Sequence, residues 1–167
     1  ERLVLQKRLL RWYDDHQRDL PWRNTTDPYP VWISEVMLQQ TQVQTVIPYY
    51  LRFLKQFPSI GELAHADTDA LLKLWAGLGY YSRATNLQKA ARIVLDQFNG
   101  EFPREYRDVL TLPGIGRYTA AAIVSIAFRE PYAVLDGNVS RVLARLLRIA
   151  GNPKSPAVQS RLWTVAQ

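Results

Sequence analysis

The chain contains no cysteine and only two histidines among its 167 residues. Without thiols, neither a disulfide nor a thiolate metal site can form. His16 and His65 lie far apart on different predicted helices, so a histidine-based metal site is not expected either. We therefore expect no metal site within residues 1–167.

Long apolar runs are also missing. No run approaches the ~18 residues that suggest a membrane span, so no membrane association is expected. The N-terminal Glu1-Arg-Leu-Val has neither a start Met nor the shape of a signal peptide. The sequence stops at Gln167 inside an amphipathic pattern, which indicates a fragment cut at both ends.

Acidic residues are outnumbered by basic ones, 15 to 21, which gives a net charge of +6 and an isoelectric point near 9.7. A basic balance favours a polyanionic partner, and nucleic acid is the commonest one. Many basic proteins bind no polyanion, so the charge alone does not establish that this chain binds nucleic acid. The motifs have to supply the evidence.

Alternating strand patterns are absent, and helical periodicity dominates. Connections are short throughout, which predicts an all-α fold built from many helices. Longer helices are predicted over 2–16, 30–40, 42–56, 83–98, 117–128, 138–149 and 156–166, with shorter ones near 60–64, 71–75 and 106–110.

A glycine turn lies between two of these helices, in Leu112-Pro-Gly-Ile-Gly-Arg-Tyr118. Gly114 and Gly116 allow positive φ and let a ligand approach the backbone closely. The free N–H groups of the turn and of the following helix can point at a phosphate, and Arg117 adds positive charge. This pattern predicts a helix–hairpin–helix over about 105–128 that grips a DNA backbone without reading bases. An ordinary helix–helix turn is the alternative.

Two carboxylates occupy contrasting positions. Glu35 lies in the middle of a helix that is apolar almost all the way round, so burial should raise its pKa and suit a general acid. Asp136 precedes a helix whose N–H groups favour the charged form, although a simple cap is the alternative. One neutral and one ionised carboxylate is the arrangement used for glycosidic-bond cleavage.

Two further turns carry side chains that could enter a duplex. Gln40 follows the Glu35 helix, and Tyr80 lies in a glycine-flanked aromatic turn. An enzyme acting on a base must extrude it from the stack and fill the gap. A solvated helix end and a packed turn are the alternatives. Arg18 and Arg23 lie in the loop after the first helix and are also predicted to approach DNA.

Four motifs occur in order along the chain: VWISEVMLQQTQV, LWAGLGYYSR, LPGIGRYTA and LDGNV. Together they resemble the MutY-type adenine DNA glycosylases, which belong to the helix–hairpin–helix superfamily with a Gly/Pro-rich loop and Asp. The resemblance covers essentially the whole chain. It implies an enzyme that hydrolyses the N-glycosidic bond of adenine mispaired with 8-oxoguanine or guanine in double-stranded DNA.

The resemblance also assigns roles to particular residues. It implies that Glu35 protonates adenine at N7 and that Asp136 stabilises an oxocarbenium-like sugar or attacks it. Tyr118 lies beside these carboxylates, where the superfamily's lyases carry a nucleophilic Lys, and Asn138 helps to order the site. Without that amine no Schiff base forms, which implies a monofunctional glycosylase. Gln40 and Tyr80 match residues that push into the duplex.

The family's organisation implies a six-helix barrel over 20–130 and a second helical subdomain from 1–19 plus 131–167. It also implies a 4Fe–4S cluster and an 8-oxoguanine-recognition domain in the parent protein, with the four cysteine ligands outside this chain. We expect a monomer, located in the cytoplasm or nucleoid of a bacterium or in the nucleus or mitochondria of a eukaryote. A mismatch thymine glycosylase and a non-catalytic helix–hairpin–helix DNA-binding module are the competing interpretations.

Overall fold

The computed structural model describes residues 2–167, and every regular element within that range is helical. The prediction of an all-α fold is therefore confirmed. In chain order, with a single 3-10 turn at Pro21–Arg23, the helices are α1 (Arg2–His16), α2 (Pro28–Met37), α3 (Val43–Gln56), α4 (Ile60–His65), α5 (Thr68–Trp75), α6 (Ser82–Phe98), α7 (Tyr106–Thr111), α8 (Arg117–Phe128), α9 (Gly137–Leu146) and α10 (Pro156–Ala166).

Side-chain caps define where several helices begin. The Asp27 carboxylate accepts a hydrogen bond from the Tyr29 N–H at 2.9 Å, and Pro28 occupies the first helical position of α2. At α4, the Ser59 hydroxyl accepts from the Glu62 N–H at 3.3 Å and donates to the Glu62 carboxylate at 2.8 Å. These reciprocal bonds between Ser59 and Glu62 form a capping box, which fixes the start of α4.

Two predicted helices end earlier than their apolar periodicity suggests. Helix α2 stops at Met37 instead of residue 40, and α9 stops at Leu146 instead of residue 149. Gln40 (φ 57°) and Arg148 (φ 49°) adopt left-handed backbone conformations, which cannot continue a right-handed helix. Gln40 consequently lies in a turn rather than on the helix that carries Glu35.

The principal core surrounds α2, which packs against α3, α6 and α8. Its buried residues extend along the chain from Leu20 to Val124. Trp32, Phe53 and Trp75 are completely buried, and the Phe53 and Trp75 rings meet edge-on with centroids 6.0 Å apart. This dense aromatic packing fixes α2, and with it Glu35, relative to its neighbours.

A second, smaller apolar cluster lies where α9 packs against α10. Its buried members are Leu135, Ile149, Val158 and Leu162. The cluster positions the start of α9 and therefore Asp136. The predicted division into subdomains over 20–130 and over 1–19 plus 131–167 stays a prediction.

Helix α1 exposes much of its apolar surface. Leu3 is 71% exposed, Leu10 63% and Trp12 56%. Within residues 2–167, no helix combines the length and the hydropathy needed to cross a membrane.

Candidate active site

Glu35 occupies a largely buried position on α2, between the buried residues Ser34 and Val36. Burial raises the pKa of its carboxyl from the usual 4.5 to about 7, because the charged form loses hydration. The predicted direction is confirmed. A carboxyl that titrates near neutral pH can hold a proton and deliver it to a substrate.

Tyr118 lies in the first turn of α8, the helix that packs against α2. Its pKa is raised to about 12, first by burial and then by the negative charges of Glu35 and Asp136. Since both carboxylates act on one hydroxyl, the fold brings Glu35, Tyr118 and Asp136 into one electrostatic environment. The Tyr118 side chain remains 37% exposed, so the cluster is open to a ligand.

Asp136 is the N-cap of α9, and both of its carboxylate oxygens are engaged. Oδ1 accepts from the Val139 N–H at 2.7 Å, and Oδ2 accepts from Asn138 Nδ2 at 3.2 Å. Asn138 is exposed and in turn accepts from the Arg141 guanidinium through its amide oxygen. The capping interpretation is therefore correct, and the same contacts fix the orientation of the carboxylate beside Tyr118.

The two hairpin glycines serve different purposes. Gly114 has φ 78°, and a Cβ there would lie 2.9 Å from the Asn86 Cβ. Gly116 has φ −96° and ψ 178°, so it does not use the positive φ that glycine allows: as the N-cap of α8 it is extended. Its side-chain-free surface, with no atom within 4 Å of an added Cβ, leaves the first N–H groups of α8 open to an anion.

Arg117 follows directly and lies on the side of the hairpin facing α10. Its guanidinium carbon is 4.3 Å from the centroid of the Trp163 ring, a cation–π contact. Together with Gln159, Ser160 and Thr164, these two residues line a cleft of about 780 Å³. The cleft is large enough to hold part of a nucleotide.

Gln40 and Tyr80 both lie at exposed loop positions, as expected for side chains that contact DNA. Tyr80 is 61% exposed in the loop before α6, and Gln40 is exposed in the turn after α2. The neighbouring Gln39 amide donates to the Thr119 hydroxyl at 3.3 Å, which ties this turn to the residue following Tyr118.

Arg18 and Arg23 contact each other and α1. Arg23 Nη1 donates to the Arg18 carbonyl at 3.0 Å, and its guanidinium carbon is 5.4 Å from the centroid of the Tyr13 ring. These contacts hold Arg23 against the end of α1 and do not involve the carboxylates. Their contact with DNA stays a prediction.

Sequence reasoning missed Arg83, which is buried behind both exposed loops. An arginine in a basic chain is expected to face solvent, and nothing in composition marks it as internal. Its position at the end of the turn Gly77-Leu-Gly-Tyr-Tyr-Ser was the available signal. Arg141, three residues after Asn138 on α9, was also missed; it is exposed and donates to the Asn138 amide oxygen.

The expected cluster of the parent family cannot be built from this chain. A 4Fe–4S cluster takes four cysteine ligands, and the sequence has none. Within residues 2–167, no three His, Asp or Glu side chains lie together as a metal site would require. The residues present therefore do not fit the group.

Comparison with known proteins places this chain in a family. Residues 33–167 match the model of the HhH-GPD superfamily base excision DNA repair proteins. The chain belongs to this superfamily.

Individual relatives indicate a narrower class of protein than the superfamily does. The chain is 49% identical to the adenine DNA glycosylase of Buchnera aphidicola subsp. Baizongia pistaciae (strain Bp), over 96% of this chain and 46% of the relative. It is also 49% identical to the adenine DNA glycosylase of Homo sapiens, over 95% of this chain and 31% of that protein. The similarity to adenine DNA glycosylases is thus confirmed, although the chain spans less than half the length of these relatives.

A solved structure matches the fold closely. The structure of a thermostable thymine-DNA glycosylase superimposes with a TM-score of 0.88 at 30% identity, covering 99% of this chain and 76% of that one.

Proposed function

We propose that this chain carries the catalytic site of an adenine DNA glycosylase that acts on adenine opposite 8-oxoguanine or guanine. The observation that carries the proposal is the buried Glu35, with a pKa of about 7, in one electrostatic environment with Tyr118 and Asp136. The similarity to the adenine DNA glycosylases supports the choice of base.

The first step uses Glu35 as an acid. Its carboxyl gives a proton to N7 of the flipped adenine, which makes the purine a better leaving group. The bond between C1′ and N9 then breaks, and its electron pair leaves with the adenine. A carboxyl with an ordinary pKa would hold very little proton near neutral pH, so the burial of Glu35 is what makes this step available.

The second step uses Asp136 in its ionised form. Two hydrogen bonds, from the Val139 N–H and the Asn138 amide, hold this carboxylate in a fixed orientation. A fixed negative charge stabilises the positive sugar as C1′ loses the base, and water then adds to C1′ while its proton passes to the Glu35 carboxylate. Asn138 is a positioning residue because it acts through Asp136.

The DNA would be held by the hairpin and by the two exposed loops. The hairpin glycines Gly114 and Gly116 and the side chain of Arg117 take the phosphate backbone. Gln40 and Tyr80 enter the duplex and fill the space left by the extruded adenine.

Tyr118 limits the chemistry to base release. A phenol whose pKa is about 12 stays protonated near neutral pH and carries no amine. It cannot form the Schiff base that strand cleavage by β-elimination needs. The product is therefore an intact strand with an abasic site.

A thymine glycosylase is the second candidate, because a thymine-DNA glycosylase shares this fold at a TM-score of 0.88. The 30% identity to that protein is well below the 49% shared with the adenine enzymes. Adenine is therefore the favoured base.

The test is single-turnover base release by the full-length protein. Duplexes carry adenine opposite 8-oxoguanine, adenine opposite guanine, or thymine opposite guanine, and abasic sites are revealed by alkali. Glu35→Gln should slow adenine release roughly 10²- to 10⁴-fold, the usual contribution of a general acid, while duplex affinity stays similar. Glu101→Gln, at an exposed glutamate between α6 and α7, is the matched control.

Other results would change the proposed function or the role of Glu35. Undiminished release by Glu35→Gln would remove Glu35 from the mechanism. Release of thymine alone would select the second candidate, and tight binding with no release from any duplex would mark a binding module.

A further inference from the structure

We infer that Arg83 is a positioning residue that links the two DNA-entering loops, so that Gln40 and Tyr80 act as one unit. The inference rests on the proposed function for the roles of those two side chains. The link itself is built from hydrogen bonds between a buried guanidinium and the backbones of both loops.

The guanidinium donates to both loops through different nitrogens. Nη1 bonds the carbonyls at the end of α2, those of Val36 at 3.1 Å, Met37 at 3.0 Å and Gln39 at 2.6 Å. Nη2 bonds the loop before α6, at the carbonyls of Leu78 (3.0 Å) and Gly79 (3.2 Å).

Two of these acceptors stand immediately before the residues that would enter DNA. The Gln39 carbonyl belongs to the peptide that leads into Gln40, and the Gly79 carbonyl to the peptide that leads into Tyr80. Both following residues have positive φ, 57° for Gln40 and 47° for Tyr80, a conformation that non-glycine residues rarely adopt. Arg83 thus fixes both peptides at the points where the chain takes an unfavourable conformation.

The surroundings of Arg83 favour a fixed guanidinium. The residue is only 8% exposed, and its guanidinium carbon lies 5.4 Å from the Trp75 ring centroid and 5.6 Å from that of Tyr80. Nη2 also donates to the Thr41 hydroxyl at 3.3 Å. Its planar fork reaches acceptors on two sides at once, which a lysine ammonium on a flexible stem does not reproduce.

The experiment is a double-mutant cycle in the full-length protein. Arg83→Lys, Tyr80→Ala and Gln40→Ala are compared singly and as the two pairs that include Arg83→Lys. Two readouts are used: single-turnover adenine release, and the fluorescence of 2-aminopurine placed at the target position, which reports unstacking of the base. Arg92→Lys is the matched control, since Arg92 lies on the same helix and donates to one carbonyl, that of Ala64, at 3.0 Å.

We expect Arg83→Lys to slow unstacking and release roughly 10- to 100-fold, the scale of a small misplacement, with affinity for undamaged duplex little changed. Each double variant should unstack and release the base no more slowly than the slower of its two single variants. Arg83 and the residue it positions serve the same step, so their losses should not add. Arg92→Lys should match the wild type. If Arg83→Lys does not fold, Thr41→Val, which removes one acceptor, should show a smaller slowing of the same kind.

Three results would overturn the inference. These are wild-type unstacking in Arg83→Lys, losses that multiply in the double variants, and equal slowing by Arg92→Lys. Absence of adenine release by the wild type would contradict the proposed function instead, and the fluorescence readout would still test the link.

Discussion

At the scale of single residues, Glu35 shows how the site conflicts with the stability of the fold. Its position on an apolar helix raises the pKa to about 7, which is useful for proton transfer. The same burial makes the ionised form unfavourable in the folded state. Burial of this carboxyl therefore favours proton transfer but lowers the stability of the fold near neutral pH.

This conflict predicts a pH-dependent difference in stability between the wild type and Glu35→Gln. The folded pKa of about 7 exceeds the ordinary value of 4.5, so the folded state binds more protons than the unfolded one in this range. The stability contributed by Glu35 is full below about pH 4.5 and is lost as pH rises through about 7. From about pH 4 to pH 8, the variant should gain about 3 kcal/mol of unfolding free energy relative to the wild type.

Urea denaturation of both proteins across this pH range measures the difference. A constant offset between Glu35→Gln and the wild type would show that Glu35 has an ordinary pKa in the folded protein.

The sequence was sufficient to predict the burial of Glu35, because the helix around it is apolar on nearly every face. Asp136 could be placed as a cap from its position before a helix. The role of Arg83 could not be predicted, since five of its six acceptors are main-chain carbonyls, three of them more than 40 residues away along the chain. Main-chain acceptors leave no mark in the pattern of side chains.

At the scale of elements, the hairpin between α7 and α8 separates two uses of glycine. Gly114 supplies a left-handed turn against Asn86, and Gly116 supplies an open surface at the start of α8. A single sequence pattern thus combines one glycine that the fold itself requires, Gly114, with one whose role is limited to ligand contact, Gly116.

Alanine at each position should distinguish these uses. Gly114→Ala should lower the unfolding free energy by about 1–3 kcal/mol, because it combines a positive φ with a close contact to Asn86. Gly116→Ala should stay within about 0.5 kcal/mol of the wild type yet bind duplex more weakly, since its methyl group lies where a phosphate would approach. Thermal denaturation and fluorescence anisotropy measure the two effects, and equal destabilisation by both variants would contradict this assignment.

Periodicity and caps predicted the C-terminal ends of most helices to within one residue, but not those of α2 and α9. The apolar pattern of α2 continues toward residue 40, while the bonds from Arg83 hold the backbone near Gln39 in a turn. Long-range contacts of this kind override local propensity, so a pattern confined to one segment cannot reveal them.

At the scale of the whole molecule, the net charge of +6 should make duplex binding depend on salt. Contacts with phosphates release counterions, so the logarithm of affinity should fall linearly with the logarithm of salt concentration. Arg117→Gln should reduce the magnitude of that slope by about 1. Arg129→Gln, at the opposite end of α8, should leave the slope unchanged, and an equal reduction in both variants would argue against a specific role for the hairpin.

The overall architecture was predictable to the level of an all-helical fold with a hairpin. The relative sizes of the two apolar clusters were not, because they depend on which helices meet. The larger cluster takes residues from Leu20 to Val124, whereas the smaller has four buried members around α9 and α10.

The double engagement of Asp136 restricts how this position can change in evolution. Asn, Ser or Thr could still cap α9, so a lineage that lost the chemistry could keep the helix intact. None of these residues carries the negative charge proposed to stabilise the sugar. If Asp136 has the proposed role, its replacement by one of these residues would give a stable, inactive protein, and selection for folding alone would not preserve the site.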